Sequence, residues 1–178
     1  MLNKMLEIIG KSFALEEIDV NKYSKIKATG MKFDIKAYYA KGLGHVSVMT
    51  AKGFFGLMKM DTLIINAIEK DLPLYSYDRV NAMGNDTLIV ELYDTVINPS
   101  EFEDLDKVND KYALEHFQAY INTVNGGADV DTKTKQEKAS VYVEGLLKNG
   151  GPSTDVFKKA LGEEATAELF RNYLFGTK

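Results

Sequence analysis

Cysteine and tryptophan are absent from this 178-residue chain, histidine occurs twice and proline three times. Without cysteine there is no disulfide, no thiolate nucleophile, no zinc–thiolate site and no iron–sulfur ligation. His45 and His116 fall on different predicted elements, so a histidine-based metal centre would need carboxylates to complete it, and no metal is expected. No apolar run approaches the ~20 residues of a membrane span, and the first residues form an amphipathic pattern rather than a signal peptide. A cytoplasmic protein without a membrane among its partners is expected. Several catalytic templates are missing too. Gly42-Leu43-Gly44 lacks the third glycine and following helix of a dinucleotide fingerprint, and no Walker loop, nucleophile elbow or metalloprotease motif occurs.

What is present suffices for one domain over residues 1–178, with 45% hydrophobic residues to build its core. The net charge is only −4, but it is unevenly spread. Lys22, Lys25, Lys27, Lys32, Lys36, Lys41, Lys52 and Lys59 are opposed by the single acid Asp34 over that stretch. Such a block favours an acidic partner or an anionic ligand, although exposed strands also carry lysines simply because they face water. Nucleic acid is not expected as a partner, since no arginines or recognisable binding motif accompany the lysines.

Periodicity orders the chain. Leu2, Met5, Leu6, Ile9 and Phe13 are spaced as one face of a helix over Leu2–Glu17. From Lys25 the period falls to two, with Met31, Phe33, Ile35, Ala37 and Tyr39 alternating with polar neighbours. Further strands are predicted at Val46–Thr50, Met58–Asn66, Tyr75–Ala82 and Thr87–Thr95. In the Met58 strand, Asp61, Leu63 and Ile65 share one face, and Thr62, Ile64 and Asn66 the other. Short connections require antiparallel pairing, because a parallel crossover needs a dozen residues or more. After Asn98-Pro99-Ser100 the pattern turns helical. Ser100 with Glu103 forms a capping box for a helix running toward Val124, with Phe102, Leu105, Val108, Tyr112, Phe117, Tyr120 and Ile121 as its stripe. Helices at about Lys135–Leu147, from a Ser153 or Thr154 cap to Leu161, and at Glu163–Leu174 complete an α+β layered domain.

The candidate chemistry rests on carboxylates within apolar strands: Asp61, Asp78, Glu91 and Asp94. Burial disfavours the charged form of such a group and raises its pKa toward the range useful for donating a proton. Asp78 closes the segment Asp71-Leu72-Pro73-Leu74-Tyr75-Ser76-Tyr77-Asp78, where Pro73 delays the start of the strand. It is either a proton donor in a pocket lined by Tyr75 and Tyr77 or a turn-closing aspartate. Asp61 and Glu91 each have solvent exposure as the simpler reading, and Asp94 reads as structural. His45 lies on a row with Leu43, Ser47 and Met49 that could face a cavity, although a satisfied or exposed histidine is the simpler reading, and His116 reads as a surface residue of its helix.

Asp71-Leu72-Pro73-Leu74-Tyr75-x-x-Asp78 resembles the D-x-P-[ILV]-[FY]-x-x-D segment of the ferredoxin-dependent bilin reductases. Gly151-Pro152, Phe157, Leu161-Gly162-Glu163-Glu164 and Tyr173-Leu174-Phe175-Gly176 are similar to that family's closing pattern, in the same order. The resemblance implies an α/β/α sandwich with a central antiparallel meander, a fold shared by the related red chlorophyll catabolite reductases. It further implies an open-chain tetrapyrrole between the sheet and the C-terminal helices, reduced in one-electron steps by an acidic ferredoxin, with no cofactor bound by the protein itself. The lysine-rich sheet region would suit that electron donor. On the family pattern Asp78 is the proton donor. The histidine that partners it in phycocyanobilin-forming members corresponds, by ungapped counting from Pro73, to Asp61. Tyr75, Tyr77, His45 and Met49 would line the ligand. Gly176 stands where the family carries aspartate, and Gly151 where it often does. Loss of the histidine leaves a carrier without catalysis as one alternative, and an interaction protein with a closed pocket is another.

Overall fold

The computed structural model describes residues 1–97, 110–124 and 126–178, with side chains described at all of these except 110–112. The expected capping box at Ser100 and Glu103, and the Phe102, Leu105 and Val108 part of the stripe, lie outside the described residues.

Helix α1 spans Leu2–Ser12 and buries Leu2, Met5 and Ile9, as its spacing requires. It ends earlier than expected. Phe13 is already extended, and Leu15–Ile18 forms strand β1, which pairs with the strand of alternating residues, β3 (Met31–Ala40). Strand β2 (Lys25–Ala28) pairs with the other half of β3, so two short strands share that one edge. Strands β4 (Gly44–Gly53), β5 (Met58–Asn66), β6 (Leu74–Ala82) and β7 (Asn85–Tyr93) follow as an antiparallel meander, giving seven strands in one sheet. The β6–β7 turn is Met83-Gly84, one step before the expected Gly84-Asn85-Asp86, because both residues adopt positive φ and leave Ala82 opposite Asn85.

The alternation within each strand separates two cores. On the back of the sheet, Val46, Val48, Leu63, Ile65, Tyr75, Tyr77 and Val90 pack under α1 and helix α2 (Asp110–Val124). On the front, Phe33, Ile35, Met49, Ile64 and Leu74 pack under three further helices: α3 (Thr132–Asn149), α4 (Pro152–Leu161) and α5 (Glu163–Glu168). This is an α/β/α sandwich. Helix α3 starts three residues before its predicted position because Asp131 accepts from the Thr134 backbone N–H at 2.8 Å, an N-cap. Helix α4 begins on Pro152 at its first turn, with no capping side chain at Gly151. After α5 the chain widens into one π-helical turn, Leu169–Leu174, before ending in Phe175, Gly176, Thr177 and Lys178.

Lys135 of α3 joins the layers. Its fully buried ammonium donates to Leu72 O at 2.7 Å and Thr95 O at 2.6 Å, and lies 3.5 Å from Asp71 Oδ1. Desolvation pulls its pKa down to about 8, and the Asp71 carboxylate opposes that fall. Asp71, the first acid of the Asp71–Asp78 segment, therefore anchors the α3 lysine, and it also accepts from Ile97 N–H at 2.6 Å.

Candidate active site

The Asp71–Asp78 segment divides between the two faces by its period of two. Leu74, Ser76 and Asp78 point to the front, whereas Tyr75 and Tyr77 are fully buried in the back core. Tyr75 packs there against Phe117 and Tyr120 of α2, at ring distances of 5.3 and 4.9 Å. His116, expected at the surface, is half-buried and stacks on Tyr75 at 5.9 Å. The two tyrosines therefore do not line the space around Asp78. Successive residues of a strand point to opposite faces, so neither neighbour of an inward-facing aspartate can join it.

Asp78 lines a front cavity of about 200 Å³ between the sheet and the helices. Met49, Thr62, Ile64 and Ser76 form its sheet wall, with Tyr142 and Leu146 from α3, Phe157 from α4, and Phe170, Leu174 and Phe175 from the C-terminal segment. A second, almost wholly apolar cavity of about 130 Å³ shares Pro152, Ser153 and Phe157 with it. Together they reach the low end of the roughly 300–1,000 Å³ usual for small-molecule sites.

Within the cavity Asp78 accepts two hydroxyl hydrogen bonds: Thr62 Oγ1 to Oδ1 at 2.6 Å and Ser76 Oγ to Oδ2 at 3.1 Å. Burial pushes its carboxyl above the ordinary aspartate range, the two hydroxyls oppose that shift, and the charge of Glu91 adds to it. Glu91 faces Ser76 across β6 and β7, and the Tyr93 hydroxyl donates to Glu91 Oε2. The Tyr93 ring lies 4.6 Å from that of Tyr142. Desolvation, first of all, raises the Tyr93 hydroxyl, and it raises Tyr142 to about 12. The wall thus holds one carboxyl biased toward its protonated form and two protonated phenols, with Glu91 behind them on the Tyr93 hydroxyl.

Asp61 does not belong to this group. Thr62, not Asp61, is the cross-strand partner of Asp78, so Asp61 faces the back, beside Lys59, Arg79 and Asn81. The expected Asp61–Asp78 pair is not formed, since a one-residue difference in a strand reverses the face. The sequence reading assigned no role to Thr62, and it placed Glu91 at a solvent-exposed edge. Its alternation with Val90 and Leu92 correctly turned it away from the back core, and the front is where the cavity lies.

Met49 lines the cavity as expected. His45 shares its face but is sealed under the C-terminus, where its Nε2–H donates to Tyr173 O at 2.9 Å. Ser47 Oγ donates to Leu174 O at 2.7 Å, and Asn66 Nδ2 to Phe175 O at 2.8 Å. Three front-facing polar side chains therefore satisfy three successive carbonyls of the π-helical turn and the residue after it. Gly176 completes this closure at φ +59°, where an added Cβ would come within 2.3 Å of the His45 ring. An aspartate at 176 and His45 in this position exclude one another. Desolvation lowers the His45 pKa to about 4, so the imidazole is neutral near pH 7.

Among the described residues no group of three His, Asp or Glu side chains could hold a metal ion, and no helix is long and apolar enough to cross a membrane. No family model matches the sequence, and no curated protein matches it. The fold is similar to the crystal structure of tomato phytochromobilin synthase in complex with biliverdin, with a TM-score of 0.74. That likeness covers 99% of this chain and 82% of the tomato chain at 11% sequence identity, a likeness of fold.

Proposed function

We propose that this protein binds an open-chain tetrapyrrole in the front cavity and that Asp78 donates a proton to it during reduction. The observation that carries this is the state of Asp78. It is a buried carboxyl with a raised pKa, held by two hydroxyls on the sheet wall of a cavity whose other walls are aromatic and aliphatic. A neutral carboxylic acid can give up a proton to a conjugated ring system at the moment the ring gains an electron. Saturating one double bond takes two electrons and two protons, of which Asp78 supplies one and solvent water the other. The electrons come one at a time from an external donor, an acidic ferredoxin-type protein. Tyr93 and Tyr142 form the aromatic side of the cavity, against which a planar ligand stacks.

A second reading is a tetrapyrrole carrier without turnover. The sealing of His45 beneath Tyr173 favours it, since no imidazole then stands beside Asp78 to return the proton that Asp78 loses. Titrating biliverdin with the protein, then adding reduced ferredoxin without oxygen, separates the readings. A saturable absorption shift followed by bleaching of the bound pigment is the expected result. A shift without bleaching supports the carrier, and no shift at high protein concentration removes both.

A further inference from the structure

Three hairpin turns project from one end of the sheet: Thr29-Gly30, Phe54–Leu57 and Met83-Gly84. Two of them carry apolar side chains into water. Phe55 is fully exposed, Met83 is 81% exposed, and Phe54 and Leu57 are about half exposed. The backbone at Phe54, Phe55 and Met83 is left-handed, with φ of 50°, 56° and 51°. Non-glycine residues rarely adopt that region, and a two-residue hairpin turn of this kind normally starts with Asn, Asp or Gly. Large apolar residues are therefore held outward in a conformation that suits other residues better. Met83 N–H donates to Leu57 O at 3.0 Å, which fixes the two apolar turns to one another.

Just behind these tips, on the back of the sheet, the register creates a row of like charges. Lys27 pairs with Lys32, Lys32 with Lys52, and Lys52 with Lys59. Strand spacing puts the ends of this four-lysine row about 14 Å apart. Like charges directly opposite one another destabilise a sheet. All four are exposed, and among the described residues none of them is in an ion pair. Helices α1 and α2 cover the back of the sheet over Leu63, Ile65, Tyr75 and Tyr77 and leave the lysine rows open.

We infer that this end of the sheet docks on an anionic lipid surface, with Phe54, Phe55, Leu57 and Met83 in the interfacial layer and the lysine row against the headgroups. The absence of an apolar span argued against a membrane partner, but interfacial contact needs no span. Single apolar side chains on convex tips match a fluid surface that closes around them, whereas a folded protein would have to offer a pocket for each. The charges are lysines, compact point charges that suit mobile headgroups, rather than arginines whose forks pair with fixed carboxylates. Attraction of this kind amounts to about fivefold in affinity per lysine near the surface. Docking at this end of the sheet is independent of what the front cavity binds.

The test is co-sedimentation of the full chain with phosphatidylcholine vesicles, with and without phosphatidylserine. Binding is expected only to the anionic vesicles, and it should weaken between about 0.1 and 1 M salt as the Debye length falls from ~10 to ~3 Å. The double variant Lys32→Glu with Lys52→Glu, and Phe55→Ser alone, should each lose about tenfold or more. All these residues are exposed, and circular dichroism checks that each variant is folded. Because the chain has no tryptophan, Phe55→Trp is a sole reporter, and its emission should shift to the blue on anionic vesicles. Failure of the wild-type protein to sediment with anionic vesicles at low salt overturns the inference. Sedimentation without the Phe55→Trp shift also overturns it. So does retention on an immobilised acidic protein with no vesicle binding, which would make this face a protein-docking surface.

Discussion

Thr62 and Asp78 face one another across β5 and β6, and the threonine hydroxyl donates to the aspartate at 2.6 Å. That bond opposes the burial that otherwise drives the carboxyl toward its protonated form. Thr62→Val keeps the shape and removes the donor, so the Asp78 pKa should rise further. A carboxyl-carbon NMR titration of Asp78 would read the upward displacement, and a downward one would contradict it. Loss of this hydrogen bond should also cost about 1 kcal/mol of stability.

Glu91→Gln should act in the opposite direction. It removes the charge that adds to the Asp78 shift while leaving an oxygen for the Tyr93 hydroxyl. The same titration should place the Asp78 midpoint below that of the wild-type protein. Asp61→Asn, on the back of the sheet, should leave it where it is.

The raised pKa of Asp78 also has a stability consequence. The folded state holds the proton more tightly than the unfolded chain, so stability is greatest below the ordinary aspartate pKa of ~3.9 and declines as pH rises through the folded value. Asp78→Asn mimics the protonated form. It should melt higher than the wild-type protein at pH 7, with the gap closing as pH falls toward 4.

His45 has the reverse dependence. Its folded pKa of about 4 lies below the ordinary value of 6.5, so its contribution is complete above 6.5 and is lost as pH falls through 4. Across that window the loss should reach about 3 kcal/mol, taking 1.36 kcal/mol per unit. His45→Gln can still donate to Tyr173 O and should flatten the decline. Amide exchange of the C-terminal segment between pH 7 and pH 4 would show it.

Lys135→Met should be among the most destabilising single changes. It takes the buried cation away from the Asp71 carboxylate and removes the donor to Leu72 O and Thr95 O, for a loss of about 3–5 kcal/mol in denaturant unfolding.

Much of the fold was legible in the alternation of the strands. The two faces of Met58–Asn66 follow directly from period two, and α1 from the spacing of Leu2, Met5 and Ile9. Strand β1 was hidden because Leu15-Glu16-Glu17-Ile18 continues a helical spacing, and only pairing with Ala37–Ala40 makes it extended. The site was half legible. The Asp71–Asp78 segment singled out Asp78, which faces the front cavity, but strand alternation puts Tyr75 and Tyr77 on the opposite face, against the expected lining. The partner of Asp78 could not be counted along the chain, because it depends on the register of β5 against β6. That register follows from how residues 67–73 between the strands are folded, tied to Tyr120 through Pro73 O and to Lys135 through Asp71 and Leu72. Nor does any local pattern show that the C-terminal turn covers His45, a contact across 128 residues.

The proposed transfer of a proton from Asp78 to a tetrapyrrole in the front cavity can be read by comparing wild-type protein and Asp78→Asn in anaerobic single turnovers with biliverdin and reduced ferredoxin. Both should give the same absorption shift on binding, and the variant should bleach the pigment at least about a hundredfold more slowly. Equal rates of bleaching would contradict the account.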